Sequence, residues 1–325
     1  MFKFKELLTC FVMVTSFVQI SAVHAQVPGP QHVLKQQANS YSVQVGEIRV
    51  TSLTNGTVPQ DLHQLLKRTN PESIERLLAR NFQSNPVEAS INVFLMDMPG
   101  HRILVDTGSG QLFGPDSGGR LIESLGNQGI KPQDITEVLL THAHSDHSGG
   151  LVNDDSRVFP NATIFIGKPD IDFFFNQKNQ KKSGYAQEYF DIARLTLKPY
   201  LDAGKIKTFS GNEEVLPGIT AVIHPGHTPG SAFYRLVSGD EEITFIGDII
   251  HVSAIQFPNP QVTIAYDENQ DQASLVRKNA FSQFAKNGEL IAAPHLPFPG
   301  IGHIRKVANN SYDWVPVTYT NRKEK

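Results

Sequence analysis

Apolar and polar residues alternate along residues 41–53 (YSVQVGEIRVTSL), and a period of two predicts a strand with one buried face. Over residues 59–82 the spacing changes to three and four, with Leu62, Leu65, Leu66, Ile74, Leu77 and Leu78 on one side, which predicts helix. Residues 91–96 and 102–106 read as the two arms of a hairpin turned at Pro99-Gly100, and Asp106-Thr107-Gly108 leads out of the second arm. A helix over 119–126 and a turn opening at Pro132-Gln133-Asp134 precede a β-rich run at 137–141.

Further on, residues 163–166 predict a strand, and residues 168–202 carry two helical stretches rich in Phe and Tyr. Strands return at 205–209, 219–223, 232–237 and 242–246. A helix over 270–286 leads into a strand at 289–293, and a last hairpin uses 304–307 and 314–318. There is no internal repeat and no low-complexity linker. This alternation predicts an α/β chain with helices packed outside two sheets in one domain, residues 26–325.

The first 25 residues stand apart from that pattern. Lys3 and Lys5 precede an apolar run from residue 7 to 20, and Val23 and Ala25 are the small residues of a cleavage site, as in a signal peptide. The run is too short to span a bilayer core of about 30 Å, so no stable membrane insertion is expected, and the mature chain is expected to be exported, periplasmic or secreted. Cys10 is the sole cysteine and leaves with that segment, so any metal site in the mature chain must use nitrogen and oxygen ligands. Losing Lys3, Lys5 and Glu6 takes the 29 basic and 32 acidic side chains to 27 and 31, a net charge of −4 with histidines neutral. No dense Lys/Arg stripe accompanies that balance, which speaks against a nucleic-acid partner.

The chemistry concentrates in Thr141-His142-Ala143-His144-Ser145-Asp146-His147, directly after an apolar strand. In an extended segment residues i and i+2 share a side, so His142 and His144 can face one ion. The turn beginning at Ser145 can bring Asp146 and His147 to a second. More ligands must come from elsewhere, and three predicted strand ends offer them: His227 in His224-Pro225-Gly226-His227-Thr228-Pro229-Gly230, Asp248 after Gly247, and His295 after Pro294.

Taken together, this set resembles the metallo-β-lactamase superfamily, whose marks are HxHxDH, a later GHTPG turn, an Asp after a strand and a last His. The resemblance runs from about Asp106 to His295 and implies an αβ/βα four-layer sandwich with the site at one edge of its sheets. It implies two divalent cations, Zn with Mn, Co or Fe also compatible with an N/O ligand set. His142, His144 and His227 would hold one, Asp146, His147 and His295 the other, with Asp248 bridging, and Asp106 would orient a ligand histidine. The flanking segments, including residues 295–303 and 315–319, resemble the methyl parathion hydrolase branch and its lactonase relatives. One departure is Ser231, where many relatives continue the turn as GHTPGH.

The resemblance further implies a bridging hydroxide, with two cations about 3.5–4 Å apart bringing the pKa of a shared water to near 7. Asp146 and Asp248 become the catalytic carboxylates, with Asp146, or a water it holds, as proton donor to the departing oxygen. Phe113, Phe174 and Phe190 are expected to wall a hydrophobic substrate pocket, although their spacing also suits core packing. His251 is expected beside the ligands rather than among them, and His295 is preferred to His303 because it directly follows its strand. The expected partner is a small lactone or aryl ester, or an organophosphate triester, and a homodimer is compatible with the chain. A β-lactam hydrolase and a non-catalytic metal-binding protein are the competing readings. The first is disfavoured because β-lactam hydrolases often carry Cys at the position of Asp248, the second because no ligand is missing.

Overall fold

Along single strands, buried side chains alternate between two separate cores, as burial of a sheet on both faces requires. The computed structural model describes residues 39–320, so the expected signal peptide lies outside the described residues. One sheet holds β1 (Ser40–Val45), β2 (Ile48–Gln60), β3 (Val87–Met98), β4 (His101–Val105), β5 (Glu137–Leu139), β6 (Thr163–Gly167) and β7 (Ile206–Phe209), adjacent in chain order. β1 to β4 pair antiparallel, and β5 to β7 add in parallel. The other sheet holds β8 (Asn212–Leu216), β9 (Ile219–Ile223), β10 (Ala232–Ser238), β11 (Glu241–Phe245), β12 (Leu290–Ala292), β13 (Ile301–Ala308) and β14 (Ser311–Pro316). There β11 and β12 are the parallel pair. The helices longer than one turn are α1 (Pro71–Arg80), α2 (Leu121–Asn127), α3 (Lys168–Phe174), α4 (Gln177–Ser183), α5 (Gln187–Asp202) and α6 (Gln270–Asn287).

Ile103, Val105, Leu139 and Phe165 point between the sheets and meet Tyr234 and Phe245 from the other side. Their neighbours Leu104, Val138, Leu140 and Ile164 point the opposite way, onto Leu125 of α2 and Phe190 and Leu197 of α5. On the second sheet Phe233, Ile246 and Ile291 turn outward onto Phe281 and Phe284 of α6. The result is the helix–sheet–sheet–helix layering expected from the sequence. It sets the C-terminal ends of β4, β5, β11 and β12 where loops carry chemistry rather than core.

Three sequence expectations are corrected. Residues 41–53 form two strands, because the chain reverses at Gly46, whose φ is +55°. The helix expected over 59–82 is interrupted: β2 runs to Gln60, Leu66–Lys67 pairs with Thr263–Ile264, and helix resumes only at Pro71. Arg68 takes a left-handed φ of 60°, and Asn70 Oδ1 then accepts from Ser73 N at 2.9 Å with Pro71 in the first turn, a complete helix start. The two helical stretches between 168 and 202 are three helices, with Asn176 capping α4 and Gly184 ending it. The edge strand β8 was not anticipated; its polar NEEVL lacks an apolar period.

Candidate metal centre

Each expected ligand leaves the C-terminal end of a strand. β5 feeds residues 142–147, of which Ser145–Ser148 form one helical turn. β9 leads to the turn of His227, β11 to Asp248 and β12 to His295. Two of these approaches need glycine. Gly247, at φ +50°, turns Asp248 inward over Thr141, and a Cβ on Gly226 would collide with the backbone of Ala273 at the start of α6.

The seven side chains converge. One group comprises His142, His144, His227 and Asp248, another Asp146, His147 and His295, and within each group the potential ligand atoms lie within 4.8 Å of one another. Asp248 stands between the groups. Its Oδ2 is 3.3 Å from His227 Nε2, 3.7 Å from His142 Nε2 and 3.2 Å from His295 Nε2, while its Oδ1 is 3.2 Å from His147 Nε2. Asp146 lies 3.7 Å from His147 Nε2 and 3.5 Å from His295 Nε2.

The inward-facing atoms fit cations better than each other. His227 Nε2 and His144 Nδ1 face one another at 3.0 Å. His142 Nε2, His147 Nε2 and Asp248 Oδ1 are buried without a hydrogen-bond partner, an arrangement that native cores avoid unless an ion or water completes it. The opposite ring nitrogens are all held. His142 Nδ1 is 3.1 Å from Thr141 Oγ1, His144 Nε2 is 3.2 Å from the Tyr185 hydroxyl, and His147 Nδ1 is 2.8 Å from Asp106 Oδ2. His227 Nδ1 is 2.8 Å from Asp267 Oδ1, and His295 Nδ1 donates to Ser90 O at 2.8 Å. Such outer partners fix the ring plane and choose which nitrogen faces a metal.

Electrostatics agree with that reading. Burial, reinforced by neighbouring imidazoles, holds His142 and His144 well below the ordinary histidine range. Burial also opposes a proton on His147 and His227, but carboxylates outweigh it: Asp248, Asp106 and Asp146 raise His147, and Asp248 with Asp267 raises His227 to about 9. Asp248 itself stays well below the usual carboxylate range, because the surrounding histidines overcome its burial. A bound cation would take the place of those protons.

Beyond the ligands opens a cavity of about 400 Å³, whose wall includes Val58, Leu112, Phe113, Tyr189, Ile192 and Tyr266. Phe113 thus lines it. Phe174 and Phe190 do not: both are fully buried, pack ring to ring at 5.4 Å and belong to the core under α5. Phe174 backs His144, with ring centroids 6.2 Å apart, so it supports the site from behind. Helical spacing explains the exchange, since Tyr189 and Ile192 share the opposite face of α5 from Phe190. His251 lies beside Asp248 at 3.1 Å and lines the cavity. His303 is elsewhere, its Nδ1 3.0 Å from Glu289 O, and His224 stacks on Phe233, where burial lowers it to about 4. Ser231 closes its own turn, its hydroxyl accepting from Thr228 N at 2.9 Å.

Sequence reasoning missed Asp267, Tyr185 and Asp170. Asp170 Oδ1 accepts from Gly230 N at 2.6 Å, and its Oδ2 from Ala143 N and Thr228 Oγ1, both at 3.0 Å, tying the His227 turn to the histidine loop. None of the three carries a spacing signal; each reaches the site through tertiary packing alone.

Comparison with known proteins agrees with this geometry. Residues 87–295 match the model of the metallo-beta-lactamase superfamily. Among solved structures, the chain is similar to the hydrolase AbOPH of the beta lactamase superfamily, at 33% identity and a TM-score of 0.83, covering 88% of this chain and 100% of that one. It is also similar to AidC, a dizinc quorum-quenching lactonase in complex with the product N-hexanoyl-L-homoserine, at 30% identity and a TM-score of 0.81, covering 87% and 99%. A metallo-beta-lactamase domain-containing protein 1 of Xenopus laevis is 36% identical over 184 residues, 56% of this chain and 62% of that protein. The chain spans less than two thirds of the curated relatives it first matches, from 21% to 62% of their length. With residues 87–295, most of its length, matched by that family model, the chain belongs to the metallo-beta-lactamase superfamily.

Proposed function

We propose that the protein is a dinuclear metal-dependent hydrolase of neutral lactones and aryl esters. One observation carries the reading: two ligand groups share the carboxylate of Asp248 at the floor of a cavity of about 400 Å³. Two divalent cations, zinc being the first choice, would supply hydroxide near pH 7 and polarise the carbonyl under attack. His142, His144 and His227 hold one cation in this reading, Asp146, His147 and His295 the other, with Asp248 joining them.

The remaining residues shape what enters. The carboxylates in the cavity wall are Asp146, Glu188 and Asp248, and no Lys or Arg stands among the lining residues, so an anionic substrate would find no side-chain counter-charge. Val58, Leu112, Phe113 and Ile192 favour an apolar acyl or aryl group and keep bulk water from it. Asp146 lines the same wall, and in this reading it, or a water it holds, passes a proton to the departing oxygen. A neutral organophosphate triester meets the same requirements of charge and shape, which keeps it as the second reading.

Comparing kcat/KM of zinc-loaded protein for dihydrocoumarin, an N-acyl homoserine lactone and methyl parathion tests the proposal. The expected order places a lactone or aryl ester first; a triester preferred by tenfold would reverse it, and no turnover of any of the three would overturn the hydrolase reading. The proposal includes export, which rests on residues 1–25 alone. N-terminal sequencing of the mature chain checks it, with a start near Gln26 expected and an intact Met1 contradicting it.

A further inference from the structure

Arg277, on α6, is fully sealed from solvent and is among the largest side chains so buried. Its Nε donates to Ile249 O, and its Nη1 donates to Val262 O at 2.7 Å and Pro260 O at 3.3 Å. Nη2 faces Asp267 Oδ2 at 3.7 Å. Two of these contacts lead to the metal centre. Ile249 is the residue after Asp248, and Asp267 places its other oxygen 2.8 Å from His227 Nδ1. One guanidinium therefore holds the turn that presents Asp248 and sets its charge beside the carboxylate that orients His227.

General stability does not explain such a residue. Sealing a cation in a core carries a desolvation penalty of several kcal/mol, and apolar replacements of buried ion pairs are often neutral or stabilising. The planar fork with several donors in fixed directions is what distinguishes Arg here, because it donates to three carbonyls while setting its charge 3.7 Å from a carboxylate. The same helix is also fixed to the His227 turn by backbone: Gly226 abuts Ala273, and Glu268 N and Asn269 N donate to His227 O and Gly226 O at 2.9 and 2.8 Å. The other ligand group is held differently, His147 by Asp106 and His295 by Ser90 O, and neither contact involves Arg277.

We propose that Arg277 is a positioning residue that acts through Asp267 on His227, so that it bears on the His142–His144–His227 group more than on the Asp146–His147–His295 group, with which it shares only the turn of Asp248. The proposal rests on the dinuclear reading above. Its test is cobalt(II) titration against a competing chelator, with visible absorbance as readout, in two backgrounds. His295→Ala leaves the first group to be measured, and His227→Ala the second.

Adding Arg277→Lys is expected to weaken cobalt binding about 10- to 100-fold in the His295→Ala background, and less than about threefold in the His227→Ala background. Leu197→Ala, which opens the core on the far face of the first sheet, serves as a control for destabilisation alone and is expected to show no such selectivity. Where Arg277→Lys does not fold, Arg277→Gln takes its place, since it retains a donor without the charge. Equal weakening in both backgrounds, or none, overturns the proposal. Fewer than two cobalt ions per wild-type chain overturns the dinuclear reading instead.

Discussion

Asp106 Oδ2 lies 2.8 Å from His147 Nδ1, and the same carboxylate accepts from Thr141 N at 2.8 Å through Oδ1. Asp106 makes both contacts from a left-handed backbone with φ of 61°, a conformation uncommon for non-glycine residues but one that Asp takes more readily than most. Asp106→Asn keeps the shape but turns one acceptor into a donor. Its affinity for the second metal ion is expected to fall about 10- to 100-fold in a chelator-competition titration; an unchanged affinity would show that His147 is oriented by something else.

Adjacent residues on α5 separate pocket from core. Tyr189→Ala removes a cavity wall, and its kcat/KM for an aryl ester is expected to change at least tenfold while Tm moves little. Phe190→Ala empties a fully buried position and is expected to lose about 3–5 kcal/mol of stability in urea unfolding. Should the stability loss fall on the Tyr189 variant and the kinetic change on the Phe190 variant, the assignment of the two faces of α5 would be wrong.

The histidine loop was legible because its residues are local: four potential ligands within six positions, after an apolar strand, leave few structural alternatives. His227, Asp248 and His295 were read from strand ends together with the family resemblance, since turn residues and apolar runs mark where β9, β11 and β12 stop but do not by themselves name a ligand. The carboxylates behind the ligands were not legible equally. Asp106 was read from the family resemblance, whereas Asp267 sits 40 residues from His227 in a loop without periodicity. Phe174 and Phe190 were misplaced for a related reason. An aromatic-rich helix reads as apolar on both sides, and only the packed partner tells core from cavity.

Asp170 connects the two histidine segments at a cost that depends on pH. Burial raises its carboxyl from 3.8 to about 6, against the hydrogen bonds it accepts from Thr228, Gly230 and Ala143. A folded pKa above the unfolded one means that the stability it contributes is complete below about pH 4 and is lost as pH rises through about 6, by at most about 3 kcal/mol. The stability advantage of the metal-free wild type over Asp170→Asn is therefore expected to be larger at pH 4.5 than at pH 7.5 in urea unfolding. A constant difference would place the carboxyl's titration at its ordinary value.

Asp248 stands between the two candidate ligand groups, within 3.3 Å of His227, His147 and His295. Asp248→Ala is expected to lose metal and nearly all turnover together while keeping the fold by circular dichroism. Full activity in that variant would remove Asp248 from the site.

The most direct measurement is the rate of dihydrocoumarin hydrolysis as zinc is titrated into metal-free protein. The dinuclear account predicts a rate that is negligible without zinc and reaches its plateau at two equivalents per chain. A plateau at one equivalent, or turnover that ignores zinc and survives chelation, would contradict it.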